Sequence, residues 1–173
     1  GMTELGVKRL YTVGGVQDTI SHTAPLVISV VASSPSMVTD TIRPEFGLRA
    51  AEYYGPISIH SLLVKTCGEG GLDGVSLWGH VPAYLQKNPR MVARLVNLLN
   101  EATGMRCSVE PLKQKAVELD RRLHEALLRD PNLRRFVDTV EREVDQEEQP
   151  ADQEKVIRLN DFLHRGSHDD PSQ

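Results

Sequence analysis

The sequence predicts an α/β fold, a layered sheet core followed by a helical hairpin. Three observations carry this expectation. Residues 26–32, "LVISVVA", and 75–81, "VSLWGHV", are almost continuously apolar, which is the pattern of strands covered on both faces. The segments after them carry helix caps and apolar residues at helical spacing. Finally, the composition changes near Gly104. Residues 1–104 hold eight Lys/Arg against eight Asp/Glu, six of the eight aromatics and most of the glycines, whereas 105–173 hold twelve against sixteen and read as helices.

The elements follow in order. Residues 7–13, "VKRLYTV", are predicted as a strand ending at Gly14-Gly15, and 26–32 as the next strand. A helix is predicted from Gly55-Pro56 through "ISIHSLLVKTCGEGG" to the glycines near 70. The strand 75–81 ends at Pro82, which has no N–H for a ladder. Asn88 is a suitable N-cap, Pro89 a suitable first helical residue and Gly104 a suitable stop. Between them Met91, Val92, Leu95, Val96, Leu98, Leu99 and Ala102 form one stripe. Helix, strand and helix over 56–104 make an α/β unit with a crossover. Three strands make a small sheet, so further strands are expected from elsewhere.

In the second half Leu112, Ala116, Leu119, Leu123 and Ala126 are spaced as the seam of a helix packed lengthwise on another. Asp130-Pro131 stops that helix and starts the next. There Leu133, Phe136, Val137, Val140 and Val144 form the facing stripe of an antiparallel hairpin. Leu112, Leu119, Leu123, Phe136 and Val140 are therefore the candidate interface residues. Residues 145–153 read as a polar linker, and Val156, Leu159, Phe162 and Leu163 as a last short helix. The tail has no core-forming residue and is expected to be disordered. The expected division is an α/β core over 1–104, a helical extension over 105–165 and a tail over 166–173.

Composition narrows the function classes. The chain has 173 residues, 39% hydrophobic and 25% charged, ordinary values for a soluble globular protein. A net charge of −4 gives no reason to expect nucleic acid as a partner. No run approaches the roughly 20 apolar residues that span a bilayer, and the first ten residues contain no signal core. The two cysteines, Cys67 and Cys107, have neither metal nor redox spacing, which suits a reducing cytoplasm. No metal, cofactor or membrane is expected.

Several residues are candidates for chemistry. Gly14-Gly15 after a strand could let backbone N–H groups approach an anion, but there is neither a dinucleotide glycine spacing nor a Walker lysine. A permissive turn is the preferred reading. In "SHTAP", 21–25, His22 and Thr23 could bind a ligand at a strand edge, although Ser and Thr in such loops usually satisfy local backbone groups. In "GPISIH", 55–60, Gly55 and Ser58 at a helix start could hold a negative group, against an ordinary helix start, with His60 near the surface. His80 and Tyr84 stand at the end of a strand, where open α/β sheets place ligands. No acid or nucleophile accompanies His80 at a recognisable spacing, so the stretch reads as mainly structural. The two Arg pairs in "LDRRLHEALLRDPNLRRF" are interleaved with acids and read as a solvated helix face.

Three blocks carry a resemblance: "GVKRLYTVGGVQDTISHTAP", "YYGPISIHSLLVKTCGEGGLDGVSLWGHVPAYLQ" and "NPRMVARLVNLLNEATG". In this order they are similar to the proteasome assembly chaperone 2 family in its actinobacterial branch, over about residues 4 to 145. The resemblance implies a three-layer α/β core like that of purine nucleoside phosphorylases. It also implies a C-terminal helical part and homo-oligomers, trimers among them. Full-length members extend far upstream, so the chain is expected to be the C-terminal part of such a protein or a natural truncation. By the resemblance, some archaeal relatives dock on the proteasome through a hydrophobic-Tyr-x ending. This chain ends "DDPSQ", which argues against docking by the tail. The family offers no agreed catalytic set, and no catalytic residue is named.

Three readings follow. The first is a non-enzymatic, oligomeric protein that binds other, unidentified proteins in an assembly role. The second is an enzyme or small-molecule binder of nucleoside-phosphorylase-like architecture, its site where Gly14-Gly15, His22, Gly55 and His80 converge. The third is a fragment whose bare sheet edge pairs with other chains.

Overall fold

In the computed structural model, which describes residues 6–37, 47–51 and 58–147, the two apolar runs pair with each other at the centre of a four-stranded sheet. Its strands are β1 (Arg9–Asp18), β2 (Ile28–Ala32), β3 (Leu48–Ala50) and β4 (Asp73–Pro82), in the spatial order β1-β4-β2-β3. The sheet is mixed. β1 runs parallel to β4, from Arg9 opposite Asp73 to Asp18 opposite Pro82. β2 runs antiparallel to β4, with Ile28 opposite Gly79 and Ala32 opposite Val75, and β3 runs parallel to β2. At the start of the β1–β4 pair Arg9 donates to Asp73 at 2.7 Å.

The helices are α1 (Ile59–Glu69), α2 (Pro89–Thr103), α3 (Glu110–Arg129) and α4 (Pro131–Glu147). Side chains of a strand alternate between faces, and here each face has its own helix. On one face Ile28, Val30, Val75 and Leu77 pack with Met91 and Leu95 of α2. A Cβ on Gly79 would stand 2.6 Å from Met91 Cγ, so the glycine makes room for that side chain. On the other face Val64 and Cys67 of α1 lie over Gly74, where a Cβ would come within 3.1 Å of the Val64 backbone. Helix, sheet and helix form the three layers, as expected.

Local chemistry sets the helix ends. Ser58 Oγ accepts the Ser61 N–H at 3.1 Å and starts α1. Asn88 Oδ1 accepts the Met91 N–H at 3.1 Å, Pro89 follows, and Gly104 closes α2 at φ +74°. Asp130 Oδ1 accepts the N–H groups of Asn132 and Leu133 at 2.8 and 3.2 Å and starts α4. Asn100 holds the loop to α3 by bonding both the N–H and the carbonyl of Cys107. Arg90 of α2 pairs with Asp120 of α3 at 2.6 Å.

Four expectations need correction. The first strand does not end at Gly14-Gly15: it runs through them to Asp18, because Gly14 pairs with Trp78 and Gly15 with Gly79. A strand that the sequence hid, β3, supplies the sheet edge beside β2. The helix predicted from Gly55-Pro56 begins at Ile59, since its cap Ser58 is still extended, and the half-buried His60 ring in its first turn lies 4.8 Å from that of Trp78. α4 continues to Glu147, into the stretch read as a linker. Gly55 and Pro56 themselves, the last short helix and the tail lie outside the described residues.

Candidate functional site

The parallel register brings β1 and β4 to an end together, and this placement builds the main polar cluster. Asp18 and His80 lie on the α1 side of their strands, and Ser29 of β2 lies on the same side opposite Trp78. Asp18 Oδ2 is 2.6 Å from His80 Nδ1, and His80 Nε2 is 2.6 Å from Ser29 Oγ. The second Asp18 oxygen accepts the Thr19 N–H at 2.8 Å. The backbone is anchored too: His80 N–H donates to the Val27 carbonyl at 3.0 Å and Ala83 N–H to the Asp18 carbonyl at 3.0 Å. The His80 side chain is 15% exposed and that of Asp18 36%, so the cluster opens to solvent at the carboxylate end. A carboxylate only accepts, so neutral His80 carries its proton on Nδ1 and leaves Nε2 to accept from the Ser29 hydroxyl.

A second cluster surrounds Tyr84. Its hydroxyl accepts the His22 N–H at 2.7 Å and lies 2.9 Å from His22 Nδ1. Its ring meets Phe136 of α4 edge-on, centroids 6.3 Å apart. Beside it a groove lined by His22, Leu85, Asn88, Arg90, Leu119 and Leu123 has room for about one water, far short of a small-molecule site. A third polar group lies under α1. Thr12 Oγ1, the fully buried Ser76 Oγ and His60 Nδ1 have no hydrogen-bond partner among the described residues.

The sequence candidates separate accordingly. His80 lies in a polar cluster with two neighbours that the sequence did not reveal, Asp18 and Ser29. Their separations of 62 and 51 residues correspond to no motif, and only the strand registers bring them together. His22 bonds the Tyr84 hydroxyl, and His80 bonds Asp18 and Ser29. Thr23 bonds Ser21 through its hydroxyl and its N–H, the local satisfaction foreseen for such a loop. Ser58 is committed to its cap. Gly14 and Gly15 form no turn and no phosphate cradle, since both belong to the ladder. Gly55 lies outside the described residues. Of the interface candidates, Leu112, Leu119 and Leu123 are half-buried, Val140 is buried and Phe136 is exposed.

Among the described residues no group of three His, Cys, Asp or Glu side chains could hold a metal, and no helix is long and apolar enough to cross a membrane. Cys67 is buried, Cys107 is exposed and both are free.

Comparison with known proteins places this architecture. Residues 2–127 match the model of the PAC2 family, ending within α3 rather than near 145. No curated protein matches the chain. Among solved structures, a PAC2 family protein from Streptomyces avermitilis is 28% identical, with a TM-score of 0.60 over 71% of this chain and 51% of its own. A proteasome-assembly chaperone homologue of Mycobacterium tuberculosis is 24% identical, with a TM-score of 0.64 over 79% of this chain and 56% of its own. Pyrococcus furiosus PbaA, described as an archaeal homolog of proteasome-assembly chaperone, is 19% identical, with a TM-score of 0.57 over 80% and 56%. The chain spans about half the length of the solved proteins it resembles.

Proposed function

The chain belongs to the PAC2 family, and from that premise we propose that it is an oligomeric protein that binds other proteins in an assembly role. The descriptions of the Mycobacterium and Pyrococcus relatives support an assembly process. The observation that carries the reading is on α1. Ile59, Leu62 and Leu63 stand at i, i+3 and i+4 on its outer side and are 63%, 48% and 40% exposed. One exposed leucine is unremarkable, but three aliphatic side chains on one helical stripe form a contact surface. The α3 seam is the weaker candidate, because Leu119 and Leu123 already line the groove against His22 and Leu85. The contact we assign to the α1 stripe is a second copy of the chain, in a homo-oligomer that includes the trimer as one form. Two cysteines used singly suit a cytoplasmic setting.

Native mass spectrometry of the chain and of Leu62→Asp tests this. The expected result is a discrete oligomer that dissociates in the variant while the melting temperature stays within a few degrees, because Leu62 is half in solvent. A monomeric parent chain, or a variant with unchanged mass, overturns the assignment.

A further inference from the structure

We propose that Ser29, His80 and Asp18 form a serine-nucleophile site for small, neutral carboxylic esters. This goes beyond an assembly role. The expectation of a non-enzymatic protein rested on finding no acid or nucleophile beside His80, and the folded chain supplies both. An activated nucleophile needs a base within hydrogen-bond reach and a third group that orients the base. Ser29 Oγ lies 2.6 Å from His80 Nε2, and Asp18 Oδ2 lies 2.6 Å from His80 Nδ1. Asp18 is in turn fixed by the Thr19 N–H, so it acts as a positioning residue and Ser29 and His80 as the catalytic pair. All three are presented by strands, whose pairing holds them more rigidly than loops would.

The surroundings select the substrate class. Val16 stands opposite His80 in the β1–β4 register, on the same face of the sheet, and is 39% exposed. It offers an apolar surface beside the base for an acyl group. The Asp18 carboxylate beside the base disfavours an anionic substrate such as a phosphate ester. In the reaction Ser29 Oγ bonds to the carbonyl carbon while its proton passes to His80 Nε2. The ester C–O bond then breaks, and the leaving alcohol takes that proton. Water attacks the acyl-Ser29, its proton passing to His80. The acid leaves, and the proton returns to Ser29.

The full chain is treated with a fluorophosphonate, which bonds to a reactive serine oxygen with loss of fluoride, and is mapped by peptide mass. Hydrolysis of p-nitrophenyl acetate is followed in parallel. The expected result is a label on Ser29 and ester hydrolysis that is absent in Ser29→Ala. In His80→Gln the labelling rate falls by roughly a hundredfold or more, the share of a positioned general base, and loses the stepwise rise with pH of the parent chain. Asp18→Asn slows labelling without moving it from Ser29. A polar tie that merely joined strand ends would change melting temperature in these variants but would give the parent no labelling. The proposal is overturned if the folded parent is not labelled on Ser29, or if labelling is equally fast without the His80 base. Should His80→Gln not fold, Asp18→Asn and the parent's pH–rate profile decide by the same criteria.

Discussion

Gly14 shows how much of a residue's role depends on what stands opposite it. A Cβ there would lie 2.7 Å from Trp78 Cε3, and Trp78 is held from another side by the His60 ring. Gly14→Ala is therefore expected to destabilise the protein by about 1–3 kcal/mol, the range for overpacking a filled site, measured by denaturant unfolding. At Gly79 the obstacle is the flexible Met91 side chain, so Gly79→Ala should cost less. The sequence marks Gly14-Gly15 as special but not why. Neither has a positive φ; Gly14 is small to admit a ring from the next strand. His80 shows the same limit. Its position at a strand end was legible, while Asp18 and Ser29 were not, because the backbone pairing that delivers them leaves no local pattern.

At the scale of elements, end signals were the most legible features. Asn88, Pro89, Gly104 and Asp130 act through their immediate neighbours, so they work in the fold as they read in the sequence. β3 was not legible, since three residues with one buried side chain show no period. The Arg pair of α3 lies on a solvated face, as read. The Arg121 guanidinium and then that of Arg122 hold the Glu118 carboxyl down to about 2, from an ordinary 4.5, and Arg121 also bonds Glu125. With the folded value below the unfolded one, this contribution is present above about pH 4.5 and is lost as pH falls toward 2. The groups are exposed, so the contribution is small and is screened by salt. An NMR titration should place the Glu118 midpoint near 2 and move it up toward 4.5 in Arg121→Gln.

For the whole molecule, the three layers were legible because continuous apolar strands require covering helices. The strand order and the antiparallel direction of β2 were not, since several connections bury the same residues. The hairpin was legible as a seam but not in its use. Leu119 lies half-buried between α3 and the groove beside α2. Leu119→Asp should lower stability by more than about 2 kcal/mol, the cost of placing an unpaired charge among packed apolar groups, seen as a lower thermal midpoint. With Leu62→Asp this separates the two surfaces: one substitution should affect folding, the other association.

The ten-residue parallel register of β1 on β4 also sets the tolerance of the chain to changes in length. Inserting or deleting one residue inside either strand would turn every later side chain to the opposite face. Asp18 or His80 would then face α2, and the three-residue relay would be broken without any of its members being replaced. The connecting segments 19–26 and 84–88 lie outside the strand pairing, and gains or losses of residues in this lineage should accumulate there.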